Sequence, residues 1–229
     1  MLRVVRPTVL LFDVDGTLVS CGGAGRQAMT LALREIAGTD GALDFPFAGA
    51  TDRGIARRGL EGAGALADDA GIDALLERYL EHLPDALASN ERYRVLEGVE
   101  ALLDALDGRP GYAIGLGTGN VEAGARAKLA RGGIADRFAF GGYGCDHEER
   151  ARLIAAGATR GAGRLGVTVD ACRVVVVGDT DRDVRAAIAI GAECVGVGTG
   201  PFEPEELLEA GAVAAFDDLT APGALEALL

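Results

Sequence analysis

The chain has 229 residues, enough to bury a full core as one large domain or as a domain with an insert. Its 35 acidic against 22 basic residues give a formal net charge of -13 and a pI near 4.6, which argues against nucleic acid or an anionic membrane surface as partner. The four cysteines, Cys21, Cys145, Cys172 and Cys194, are far apart and form no Cys-x-x-Cys pair, so neither a zinc site nor a disulfide framework is encoded locally and a cytoplasmic location is expected.

The start, Met1 to Pro7, has too short an apolar part for a signal peptide and leads into a strand, Thr8-Val-Leu-Leu-Phe12. That strand ends in Asp13-Val14-Asp15-Gly16-Thr17, two carboxylates and a sharp polar turn. Apolar residues at 29, 33 and 36 then predict a helix over 25–36, stopped by Gly38 and a loop from Thr39 to Pro46. A second helix is expected from a cap at Asp52 to about Leu60, and a third over 75–87, with Leu76, Leu80, Leu83 and Leu87 on one face. Residues 20–92 contain no convincing strand and read as an inserted helical subdomain, between a first core segment, 1–19, and a second, 93–229.

From Tyr93 the elements alternate. A helix over 98–106, a strand over 112–116, Gly117-Thr118-Gly119-Asn120 and a helix to about Ala130 lead to a short strand over 138–140 and a glycine loop over 141–144. A helix over 148–160 and a loop over 161–166 precede Arg173-Val-Val-Val-Val177, which runs into Gly178-Asp179-Thr180-Asp181-Arg182-Asp183. A helix over 183–190, a strand over 193–197, a helix over 204–209 and a strand over 213–216 complete the series. Such alternation predicts a three-layer α/β core with a parallel sheet and right-handed crossovers. No run of 18 strongly apolar residues is present, so no membrane span is expected.

In an open parallel sheet the carboxyl ends of the strands share one crevice, which brings together Asp13, Asp15, Thr118, Asn120, Asp179 and Asp183. Clustered carboxylates repel unless a cation lies between them, and an all-oxygen ligand set suits magnesium. One carboxylate is then placed to attack phosphorus, while the other protonates the leaving oxygen and later activates water. Thr118 and the N–H groups at the next helix start, Gly119 among them, suit phosphoryl oxygens. A fixed positive charge is also needed. Lys128 lies well down a helix and is expected to face solvent; Arg150, with Arg152 as the alternative, is better placed near the start of a later helix. Arg53 and His147 are possible substrate contacts, Arg53 within a polar turn of Gly49, Thr51, Asp52 and Arg53 between insert helices that is a candidate to face the crevice, whereas His82 reads as surface or packing. The segments 115–119 and 196–200 lack Gly-x-Gly-x-x-Gly spacing, and no Gly-Lys-Ser or Gly-Lys-Thr exists, which removes the dinucleotide fingerprint and the P-loop.

Asp13-Val14-Asp15-Gly16-Thr17, Thr118 after a strand, a basic residue before a late helix and Gly178-Asp179-Thr180-Asp181-Arg182-Asp183 together resemble the four ordered motifs of the haloacid dehalogenase-like hydrolase superfamily. The character of the insert is similar to the helical cap of its phosphoglycolate phosphatase-like branch. The resemblance implies a Rossmann-like core, Asp13 as nucleophile, Asp15 as general acid and base, and Thr118 on the phosphoryl group. It further implies magnesium held by Asp13, the Asp15 carbonyl, Asp179 and Asp183, and a small phosphorylated metabolite as substrate. The chain departs at the third motif, where arginine stands for the usual lysine; arginine keeps its charge but differs in reach and geometry. Asp15 argues against attack on carbon, which does without this second carboxylate. A phosphomutase and a weakly active scaffold of the same fold remain as alternatives.

Overall fold

The structure, a computed structural model, describes residues 6–39 and 41–229; the start from Met1 to Val5 and Asp40 of the predicted loop lie outside them. In chain order the strands are β1 (Thr8–Phe12), β2 (Val19–Ser20), β3 (Arg94–Val95), β4 (Tyr112–Gly117), β5 (Gly141–Gly142), β6 (Arg173–Gly178), β7 (Glu193–Val197) and β8 (Ala214–Phe216). The α-helices are α1 (Ala24–Ala37), α2 (Asp52–Gly62), α3 (Asp69–Ala88), α4 (Val99–Leu106), α5 (Glu122–Arg131), α6 (Arg150–Arg164), α7 (Asp181–Ala189), α8 (Pro204–Glu209) and α9 (Ala224–Leu228).

Six strands form one parallel sheet in the order β5-β4-β1-β6-β7-β8. The run Thr8 to Phe12 is buried on both faces because helices cover both sides of a central parallel strand. Leu10 and Phe12 join one apolar cluster, with Leu102 and Leu103 of α4 and Leu129 of α5. Val9 and Leu11 join the opposite one, with Leu153 and Ile154 of α6 and Val184 of α7. The period-two alternation of one strand thereby builds both cores of a three-layer α/β sandwich. Helices α1, α2 and α3 are inserted between β2 and β3 and form a cap, and β2 and β3 pair antiparallel where the chain enters and leaves it.

Register decides what meets at the strand ends. Phe12 is level with Leu116 on one side and Val177 on the other, so Asp13, Gly117 and Gly178 lie abreast, immediately before Thr118 and Asp179. The crevice predicted from the strand ends is therefore a consequence of in-register parallel pairing.

Several local expectations are corrected. The strand expected over 138–140 is instead Gly141–Gly142, paired with Leu116 and Gly117. Helix α6 passes so close there that a β-carbon on Gly142 would lie 1.9 Å from the Leu153 carbonyl oxygen, and only glycine fits. Helix α6 continues to Arg164 through the loop expected at 161, because Gly161 lets it settle against Val9 and Phe140. Thr51, not Asp52, caps α2: its Oγ1 accepts from the Gly54 N–H at 3.2 Å, and Asp52 becomes the first helical residue. Helix α3 begins six residues before the expected 75, at Asp69, and α7 begins at Asp181. The short pair β2 and β3 and the helix α9 have no counterpart among the expected elements.

Candidate active site

Three carboxylates converge at the ends of β1 and β6. Asp13, Asp179 and Asp183 are all buried, and each offers an oxygen within 4.8 Å of the others. Asp13 Oδ1 is buried with no hydrogen-bond partner among the described residues, while its Oδ2 lies 3.5 Å from the Arg150 guanidinium. Asp183 is fixed twice: its Oδ2 accepts from the Thr180 hydroxyl at 2.6 Å within a capping box at the start of α7, and its Oδ1 pairs with Arg150. The Thr17 hydroxyl donates to Asp179 Oδ1 at 3.0 Å.

Two glycines make room for Asp179. Gly16 has φ +84°, a left-handed conformation, and a β-carbon there would lie 2.2 Å from Asp179 Oδ2. One on Gly200 would lie 1.7 Å from the same oxygen. The segment 196–200, excluded as a nucleotide motif, thus ends in a residue whose missing side chain shapes the acidic pocket.

Burial, and then the Asp13 carboxylate, push Asp179 up to about 8, against the Thr17 hydroxyl and Arg150. An orphaned oxygen on Asp13 beside an Asp179 that resists ionisation fits a divalent cation shared by the cluster; the donor set is entirely oxygen and carboxylate. Between pH 4 and 8 the folded chain keeps a proton that the unfolded chain has released, so its stability falls as pH rises through that window. A thermal melt of the metal-free protein is expected to drop by a few degrees from pH 5 to pH 8, with magnesium restoring more at pH 8 than at pH 5. A magnesium shift of the same size at both pH values is the contrary result.

Asp15 lies on the other side of the cleft in a second network. Its Oδ2 accepts from Lys128 Nζ at 2.6 Å and from Asn120 Nδ2 at 2.9 Å. Asn120 Nδ2 also donates to Thr118 Oγ1 at 2.8 Å, and Lys128 Nζ donates to Asn120 Oδ1 at 2.5 Å. The cleft environment raises the Asp15 carboxyl, but the Lys128 ammonium and the hydrogen bonds from Lys128 and Asn120 outweigh this and hold it below the usual value. Lys128 is 4% exposed, which corrects the expectation that it faces solvent. On α5 it is four residues after Gly124 and shares the buried face with Ala125 and Leu129, a helical spacing that reveals it in retrospect.

The remaining predicted residues separate clearly. Arg150 reaches Asp13 and Asp183, whereas Arg152 is exposed and pairs with Glu149. Thr118 is fully buried, and Gly119 lies beneath the cap, its carbonyl accepting from the Asp52 N–H at 2.8 Å. Arg53 turns away to Asp69 and Asp73 of α3. His147 is not part of the cavity wall; its Nδ1 accepts from the Glu149 N–H, and its Nε2 faces Arg152. His82 pairs with Glu35 on the cap, away from the site.

Above the carboxylates lies a cavity of about 410 Å³, bounded by core residues and by Met29, Phe47, Asp52 and Tyr79 of the cap. Asp52, expected both as a helix cap and within a polar turn facing the crevice, lies in the cavity wall. Its Oδ2 accepts from the Val121 N–H at 2.9 Å, joining cap to core. Burial pushes it up to about 6, with Lys128 opposing.

The fold and the acidic cluster define a hydrolase of the aspartate-dependent α/β type. The chain belongs to the haloacid dehalogenase-like hydrolases, whose family model matches residues 7–191. It is 26% identical over 232 aligned positions to a phosphoglycolate phosphatase of Mesorhizobium japonicum, covering 93% of this chain and 92% of that protein. Among solved structures it resembles CbbY from Rhodobacter sphaeroides in complex with phosphate (TM-score 0.70, 20% identity, 96% of this chain and 98% of that one). It also resembles a predicted phosphoglycolate phosphatase from Haemophilus somnus 129pt (TM-score 0.69, 19% identity, 99% and 100%). No helix among the described residues is long and apolar enough to cross a membrane.

Proposed function

We propose that this hydrolase is a magnesium-dependent phosphatase of a small phosphorylated metabolite, acting through a phosphoaspartyl intermediate on Asp13, with residues 20–92 as the closing cap. The observation that carries the reading is the unpartnered, buried Asp13 Oδ1 beside Asp179 and Asp183, at the floor of a cavity that Asp15 also lines. Asp13, the Asp15 carbonyl, Asp179 and Asp183 are the residues that would hold magnesium, which when bound offsets carboxylate charge and draws a phosphate to the site.

Asp13 attacks phosphorus, and the bond to the leaving oxygen breaks. Asp15, held ionised by Lys128 and Asn120, takes up a proton as the ester binds, passes it to that oxygen and then takes one from the water that opens the acyl phosphate. Lys128 and Asn120 hold Asp15 Oδ2 in place for both steps. Arg150 stabilises charge developing on the phosphoryl group beside Asp13, and Thr118 and Gly119 form the phosphate-binding turn at the start of α5. Asp15, present where attack on carbon has no need of a proton donor, favours phosphoester hydrolysis.

The test is magnesium-dependent release of inorganic phosphate from an aryl phosphate and a panel of phosphoesters. Arg150→Ala is expected to lower kcat by about a hundredfold, since it removes the cation nearest the nucleophile. Absence of phosphate release from every ester overturns the reading. Isomerisation of a phosphosugar without net release would instead support a phosphomutase.

A further inference from the structure

The cap half of the cavity contains polar groups that the proposed chemistry does not use. Asp52 and Tyr79 both line the cavity and are 7% and 1% exposed. Asp52 uses only Oδ2, on the Val121 N–H, which leaves its second carboxylate oxygen without a hydrogen bond among the described residues. The Tyr79 hydroxyl likewise has no hydrogen-bond partner among them. These groups converge. A β-carbon on Gly25 would lie 3.5 Å from Lys128 Nζ and 3.8 Å from the Tyr79 hydroxyl; one on Gly124 would lie 3.6 Å from both Asp52 Oδ2 and Tyr79 Cε1. A carboxylate, a hydroxyl and an ammonium thus line the same cavity, with Tyr79 between the other two.

We infer that Asp52 and Tyr79 form a hydroxyl-recognition subsite, so that the substrate is a short polyhydroxy phosphomonoester, a small polyol or sugar phosphate. The inference rests on the phosphatase reading and extends it to the leaving group. A carboxylate on the leaving group meets the Asp52 carboxylate and faces repulsion, the Lys128 ammonium beside it being already paired with Asp15. A hydroxyl both donates and accepts and satisfies Asp52 and Tyr79 together. A buried acceptor with an unused oxygen also discriminates by what it loses, because an ester without the hydroxyl leaves it unpaired.

Three esters of similar size separate the possibilities: glycerol 1-phosphate, n-propyl phosphate and 2-phosphoglycolate. The wild-type protein is expected to favour glycerol 1-phosphate over the other two by roughly 30-fold or more in kcat/KM, about one neutral hydrogen bond's worth or somewhat above. Tyr79→Phe, which removes one oxygen and keeps the ring, is expected to lower the glycerol-to-propyl ratio about tenfold. Asp52→Asn keeps an acceptor for Val121, and it is expected to raise 2-phosphoglycolate relative to glycerol 1-phosphate. The same order is expected in calorimetric affinities for Asp13→Asn, which binds esters without cleaving them. If esters are hydrolysed but glycerol 1-phosphate is not preferred, or Tyr79→Phe leaves the ratio unchanged, the subsite is wrong and the phosphatase reading stands. If no ester is hydrolysed, the phosphatase reading fails, and the order of affinities alone upholds or overturns the subsite.

Discussion

Asp13→Asn is expected to abolish turnover, with kcat lower by on the order of 10⁴-fold or more, while the protein remains folded. Asparagine preserves the shape of the side chain but is no nucleophile toward phosphorus. It also removes one negative charge from a cluster in which burial and the Asp13 carboxylate oppose ionisation of Asp179. Stability without metal should therefore rise, and the dependence of the melting temperature on magnesium should weaken. Steady-state kinetics and thermal melts with and without magnesium check both halves. Loss of activity accompanied by loss of the fold would show only that Asp13 is structural.

The second large effect belongs to Lys128. Lys128→Met keeps the length of the buried stem but removes the ammonium from Asp15 and Asn120, and kcat is expected to fall by about a hundredfold. The Asp15 side chain is 43% exposed to the cavity, so the stability cost of breaking the pair is discounted for screening, to about 1–2 kcal/mol. Urea denaturation measures that cost, and kcat measures the catalytic loss. Full activity in Lys128→Met would remove Lys128 from the account and leave Asn120 alone to hold Asp15 Oδ2.

The contrast between these residues shows what a sequence carries. Asp13 and Asp179 each follow a strand buried on both faces, and in-register pairing of β1 and β6 makes their convergence a matter of counting from Phe12 and Val177. The parallel α/β core was legible for the same reason: apolar runs of strand length alternate with amphipathic helices. Arg150 was reachable by elimination, as a basic residue at the start of the helix that packs beside β1 and β4.

Lys128 was hidden because a lysine on a helix is ordinarily solvated. Its burial depends on Asp15 and Asn120 arriving from two other elements, and on α1 and α3 of the cap covering it. The turn that carries Asp52 was readable as facing the crevice, but the role of Asp52 was not: in Thr51-Asp52 either residue can cap a helix, and only tertiary packing assigns the cap to Thr51 and frees the carboxylate for the cavity. The two-residue strand at Gly141 has no apolar pattern, since the approach of α6 excludes side chains there. Residues whose position follows from local pattern were readable, and those placed by contacts between cap and core were not.

Hydrolysis through Asp13 requires that its carboxylate become covalently phosphorylated. A single turnover of an aryl phosphate with magnesium, quenched in acid and followed by peptide mass analysis, tests it directly. A hydroxylamine-labile phosphoryl adduct is expected on the peptide containing Asp13, formed and lost at rates compatible with kcat. Release of phosphate at the full rate with no such adduct at any quench time would contradict phosphorylation of Asp13.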